Sequence, residues 1–345
     1  MNLPYQLDLP IHLLAACFNK TSASYKFYWL LAILKRVELG EASIRKQYLF
    51  AEMVSHAWFT VNYFHVSFGK QDKLQHSVQQ IRQLEGLTID ISQSAVYNAL
   101  ANTTNKNTLK ELQYFNAEVL HRFLSPWFRA DDMNQAYQLS GSFTNNCPYA
   151  LFKEHIEMNP AWMDYFQKNV LVLKHFCYWN LVVYLQTKNP NVPDLPNKLI
   201  KPAIRKNLVG QRKDFWDIVI RELGSVDCIY TNKRLEIGNY AVEHFIPHAF
   251  VAHDLIWNLI PADYAFNSTK SDRLPLLDRH FDPFFTLQQS AVKIMLDKFP
   301  KNRYLEDYLT LFPSLDRAAG LTRIKFLEQV QPLITIASNN GFEFL

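Results

Sequence analysis

The residues of this chain best equipped for chemistry lie close together about two-thirds of the way along it. Glu243 and His244 are adjacent, Pro247 follows three positions on, Asn258 lies fourteen after the histidine, and Asn267 nine after that. Lys270 and Asp272 follow directly. An imidazole with its ordinary pKa of about 6.5 suits proton transfer from water near neutral pH. Carboxylate and amide oxygens are hard donors of the kind that suit Mg²⁺ or Mn²⁺. Positioning these groups needs strands and a helix. Tyr240 to Pro247 reads as a strand closed by proline, a loop runs to Leu255, and Trp257 to Ile260 reads as a second short strand. A helix is expected from about Pro261, where proline fits the first turn. Upstream, Cys228 to Thr231 and Arg234 to Ile237 read as a hairpin around Asn232 and Lys233. Successive strand residues face opposite ways, so Glu243 and His244 can serve one ligand only if the strand twists or ends there. On the helix, Asn267 and Lys270 are one turn apart and share a face.

The order Glu243-His244, Pro247, Asn258-Leu259 and Asn267-x-x-Lys270-Ser271-Asp272-x-x-Pro275 resembles the HNH nuclease motif. Its His-Asn-Asn form is similar to that of the HNH domain of CRISPR type II effectors. The preceding Cys228-Ile229-Tyr230-Thr231 also looks like the first hairpin of that module, which often reads C-x-Y-T-G. The likeness covers about Cys228 to Pro275. Elsewhere Thr21 to Phe27, Leu185 to Pro193 and Pro332 to Phe342 look similar to phrases of stand-alone bacterial proteins that carry such a module in a helical chain. The resemblance implies a ββα-metal finger that hydrolyses DNA phosphodiesters, leaving 5′-phosphate and 3′-hydroxyl ends. It implies His244 as general base, Glu243 and Asn267 as ligands of one Mg²⁺ or Mn²⁺, and Asn258 in the catalytic set, chiefly as a loop brace. A strand histidine is ordinarily just packed; the acid before it and the asparagines after it reverse that reading here. Glu243 stands where Asp is commoner, and many relatives have His at the position of Asn267. Many HNH modules also hold a structural zinc between two CxxC pairs. This chain has only Cys17, Cys147, Cys177 and Cys228, far apart, so no structural zinc is expected and packing on flanking helices must hold the module.

The rest of the chain frames this site. With 345 residues, 48% apolar and 20% charged, it can bury a substantial core and is not disordered throughout. Nine glycines argue against a Gly-rich nucleotide loop. Apolar runs are too interrupted to cross a membrane, and Met1 to Tyr5 shows no secretion signal. Spaced, reduced thiols suit a cytoplasmic protein. Helical periodicity marks Tyr25 to Leu39, Arg45 to His65, Lys73 to Leu84 and Thr108 to Phe123. Ala161 to Leu185 is apolar on nearly all sides and is expected mid-core. The expected fold is mainly α with an embedded small α+β module: a helical scaffold over 1–187, a proline-rich linker and basic helix over 188–222, the module over 223–277, and C-terminal helices over 278–345 packing on the scaffold.

The net charge of +4 is too small to prove a nucleic-acid partner. Between Lys188 and Lys213, however, seven Lys or Arg face the single acid Asp194. Lys201, Arg205, Lys206, Arg212 and Lys213, with Lys270, are the candidate phosphate contacts. His248 and His253 are expected to be exposed in the loop. The partner so implied is DNA, with a second protein or a second copy docking on the helical region. The expected biology is bacterial restriction or anti-phage defence. A binding-only subunit of a larger complex, or a nuclease acting on RNA, are the alternatives.

Overall fold

The computed structural model describes residues 3–200, 207–315 and 321–345. The chain divides into two compact units, one of Met1–Pro190 with Leu195–Ala203, the other of Asn191–Asp194 with Ile204–Leu345. The fold is mainly α with small antiparallel sheets. Among the described residues no helix is long and apolar enough to cross a membrane.

In the first unit the central element is α1 (Tyr25–Glu38), buried on almost every side from Tyr25 to Val37. Against it pack α2 (Lys46–Asn62) and the long α7 (Pro160–Gln186). Around them lie α3 (Lys73–Glu85), α4 (Gln93–Ala101), α5 (Lys106–Glu118) and α6 (Met133–Gly141). Helix α3 shows how local chemistry sets its limits. Asp72 caps it by accepting from the Leu74 N–H at 2.9 Å, and Gly86 ends it at a φ of 61°, where a side chain would be strained. Leu74, Ser77, Val78 and Ile81, one face at spacings of three and four, are its buried residues. A three-stranded sheet, ordered β1 (Ser43–Arg45), β3 (His155–Met158), β2 (Tyr149–Leu151), closes one side of this unit.

Helix α7 departs from expectation. Trp162, Phe166, Leu173, Cys177, Leu181 and Leu185 are buried, but Leu171, Val172, Trp179 and Val183 are exposed, Trp179 at 61%. The helix therefore borders the core, and α1 occupies the centre. Apolar composition on all sides cannot tell a central helix from one with an open apolar face.

The second unit positions the site. Helix α8 (Asp217–Leu223) leads into β4 (Val226–Asp227) and β5 (Arg234–Leu235), and then β6 (Ala241–His244) pairs antiparallel with β7 (Leu259–Ala262). Between β6 and β7 lies α9 (His248–Val251); after them come α10 (Tyr264–Lys270), α11 (Leu277–Lys298) and α12 (Arg323–Asn339). The first hairpin pairs two residues earlier than expected, because Cys228 accepts from the Asn232 N–H and the turn starts there. Pro261 sits in β7 opposite Val242, and the helix begins only at Tyr264. Helix α11 starts at Leu277 and runs through Pro283.

Packing on C-terminal elements holds the module. Phe245, just past β6, stacks on Phe284 of α11 at a centroid distance of 3.8 Å. Gln288 of α11, fully buried, donates to the carbonyls of Ile256 and Leu259, and Asp307 accepts from the Ile256 N–H at 2.8 Å. The chain end returns to the module as well: Leu274 donates to Glu343 O at 2.7 Å and Leu345 donates to Leu274 O at 3.0 Å.

Candidate active site

Strand β6 ends at His244, where regular alternation no longer applies, so Glu243 and His244 both line one cavity of about 290 Å³. Asn267 of α10 and Arg212 also line it, together with Asn207, Val242, His248 and Asp254. Asn258 prolongs the β6–β7 pairing beyond the strands. Its side-chain oxygen accepts from the Ile246 N–H and its amide donates to Ile246 O, each at 2.8 Å, while its own carbonyl accepts from the Phe245 N–H. Fully buried and away from the cavity wall, Asn258 braces the loop.

Helix α10 is tied to the first hairpin. Asp263, at its N-cap, pairs with Lys233 at 2.8 Å, and its N–H points to Cys228 Sγ at 3.4 Å. Tyr230 stacks on Phe266 at 4.5 Å. Burial, and then the Glu243 carboxylate, raise the Tyr230 hydroxyl well above its ordinary pKa, so it stays neutral. These ties aim Asn267 and Lys270 from one face of α10 toward β6.

Lys270 does not lie where a phosphate contact would. Its side chain is fully buried, its ammonium 2.8 Å from Glu243 Oε1 and donating to His244 O at 2.9 Å. A buried ammonium needs a counter-charge, and Glu243 supplies it. Of the other expected phosphate contacts, Arg212 lines the cavity, its guanidinium 4.8 Å over the Tyr240 ring and donating to the Tyr264 hydroxyl at 3.1 Å. Lys213 is exposed and does not line it. Lys201, Arg205 and Lys206 lie outside the described residues. Lys198, part of the same basic run, is buried in the first unit.

Around His244 the structure adds groups that sequence reasoning missed. Its Nε2 lies 3.0 Å from Asp254 Oδ1, and His248 Nε2 lies 3.8 Å from the same oxygen. The two imidazoles meet edge-on at 5.2 Å. His248 and His253 are both half-buried rather than exposed; burial, and then the neighbouring His244 and His248, push the His253 pKa down to about 4. Nothing in the sequence set Asp254 apart from an ordinary loop acid.

Residues 228–276 match the family model for HNH endonucleases. The chain carries an HNH module. No curated protein and no solved structure matches the chain. An HNH module points to nuclease activity and a nucleic-acid substrate, and HNH nucleases generally work with divalent metal ions.

Among the described residues no three His, Cys, Asp or Glu side chains are grouped to hold a metal. The HNH module instead offers a carboxylate and an amide. Asn267 Oδ1 is buried with no hydrogen-bond partner among the described residues, and such an orphaned oxygen is costly unless something binds it. Glu243 and Asn267 line the same cavity, so the pair fits a hard cation that keeps sites open for water and substrate.

Proposed function

We propose that this chain is a metal-dependent endonuclease that hydrolyses DNA phosphodiester bonds at the cavity of its HNH module. The carrying observation is the shared lining by Glu243, His244, Asn267 and Arg212, with Asn267 Oδ1 buried and without a partner among the described residues. Glu243 and Asn267 would hold one Mg²⁺ or Mn²⁺, which when bound supplies charge neutralisation at the phosphate and at the departing oxygen. His244 takes the proton from water as the water oxygen forms its bond to phosphorus. The bond from phosphorus to the 3′ oxygen breaks on the opposite side, leaving a 5′-phosphate and a 3′-hydroxyl. Arg212 orients a phosphate oxygen with its guanidinium. Asn258 keeps the β6 end and the following loop in register and touches no reacting atom. Lys270 balances Glu243 in the absence of other cations. A restriction or anti-phage role in a bacterium rests on the family resemblance alone.

One observation favours a second reading, a module that binds nucleic acid without cutting it: the Glu243 carboxylate is already paired with a buried ammonium. Titration calorimetry with Mn²⁺ separates the two, since the nuclease reading requires metal binding that Glu243→Ala weakens. The direct test is cleavage of supercoiled plasmid with Mg²⁺ or Mn²⁺. Nicking should stop on chelation, and His244→Ala should slow it by about 10²–10⁴-fold, the usual share of a general base. Undiminished cutting by that variant with excess metal would defeat the proposal.

A further inference from the structure

We infer that Asp254 is the positioning residue of His244, a role that rests on the nuclease reading for its kinetic consequence but not for its geometry. Asp254 Oδ1 lies 3.0 Å from His244 Nε2, both side chains are mostly buried, at 13% and 18% exposure, and both line the cavity. An imidazole has two nitrogens, and the one that carries hydrogen is decided by the partner of the other. A carboxylate accepts only, so its partner nitrogen must be the N–H. The proton of neutral His244 therefore sits on Nε2, and Nδ1, which no hydrogen bond among the described residues reaches, carries the lone pair. That lone pair is what receives the proton from water. The same carboxylate stabilises the imidazolium once it forms, and its own proton content does not change during the step.

The fold delivers Asp254 from both sides. Helix α9 is stopped by Ala252 at a φ of 58°, a left-handed turn that sends the chain back toward the end of β6. His253 then packs on Trp257 at 5.3 Å, and Gln211 donates to the Asp254 backbone carbonyl at 3.3 Å. The Asp254 backbone is thus held by a group other than its own carboxylate. His248 stands 3.8 Å from the same oxygen, too far for a hydrogen bond, so His244 is the better-placed partner.

The test uses the full chain in two measurements. Plasmid nicking under saturating metal should show kcat lowered by about 10²-fold or more in Asp254→Asn, with KM for DNA unchanged, since removal of an orienting carboxylate acts on the proton-transfer step. Asp254→Glu, which keeps the charge, should recover part of the loss. Nitrogen-15 spectra of histidine-labelled, metal-free protein at pH 8, with His244→Gln to assign the signal, should show His244 as the Nε2–H tautomer. In Asp254→Asn, whose amide can turn either way, this should become a mixture. An Nδ1–H tautomer in the wild type, or wild-type kcat in Asp254→Asn, overturns the inference. Failure of the wild type to cut any DNA, with the Nε2–H tautomer present and dependent on Asp254, removes the nuclease reading and leaves the positioning role standing.

Discussion

Truncating Asn258 to alanine would leave the N–H and C=O of Ile246 without partners in a fully buried place. Each stranded group costs about 1–3 kcal/mol, so Asn258→Ala should lower the unfolding free energy by about 3 kcal/mol in urea titrations. A loss under about 0.5 kcal/mol, the level of an ordinary surface substitution, would contradict the bracing role. The same residue shows what was legible at this scale. Its type and its fourteen-residue distance from His244 marked it, but only the register Glu243↔Ile260, His244↔Leu259 puts its amide opposite Ile246. Lys270 was legible in its helical face and not in its burial. Whether an ammonium one turn past Asn267 meets solvent or a carboxylate depends on how closely α10 approaches β6. That distance is set by Tyr230, Phe266 and Asp263 and not by spacing along the chain.

Helix α11 is the element on which the site leans. Gln288 is buried, its amide donates to Leu259 O at 2.8 Å, and its carbonyl accepts from the Tyr308 hydroxyl. Gln288→Leu keeps the volume roughly constant but strands the Leu259 carbonyl and the Tyr308 hydroxyl. It should lower stability by about 2–4 kcal/mol, and nicking should fall with it because Asn258 immediately precedes β7. Thermal melts and nicking assays on the same preparation check this; loss of neither would mean that α11 does not support the module. A proline inside a helix removes one backbone bond, and Pro283 stands in the second turn of α11. The helix passes through it because Phe281, Phe284 and Phe285 bury their rings around Phe326, a gain that outweighs one missing backbone bond. The first hairpin slipped for a related reason: Asn232 takes a φ of 57°, allowing a turn that begins at Cys228.

At the scale of the whole molecule, each unit carries a histidine that burial keeps neutral. His56 in the first is pushed down to about 3, and His253 in the second to about 4. Unfolded histidine titrates near 6.5. Below that pH the unfolded chain binds protons that the folded one refuses, so stability is full above about 6.5 and is lost as pH falls toward the folded values. From pH 7.5 to 4.5 the His253 share of this loss is on the order of 2–3 kcal/mol. Urea titrations at the two pH values should show His253→Gln losing correspondingly less than wild type, and equal losses would refute the buried-neutral assignment. The amino-acid sequence by itself determined the helical class, the compact module between Cys228 and Pro275, and the residue types at its centre. Periodicity, turn residues and a spaced motif are local properties that survive in one dimension. Tertiary structure alone decided that α1 and not α7 is central, that Lys270 neutralises Glu243, and that Asp254 meets His244. Those outcomes depend on which faces approach within a few ångströms, and residues far apart in sequence reach that distance only through packing.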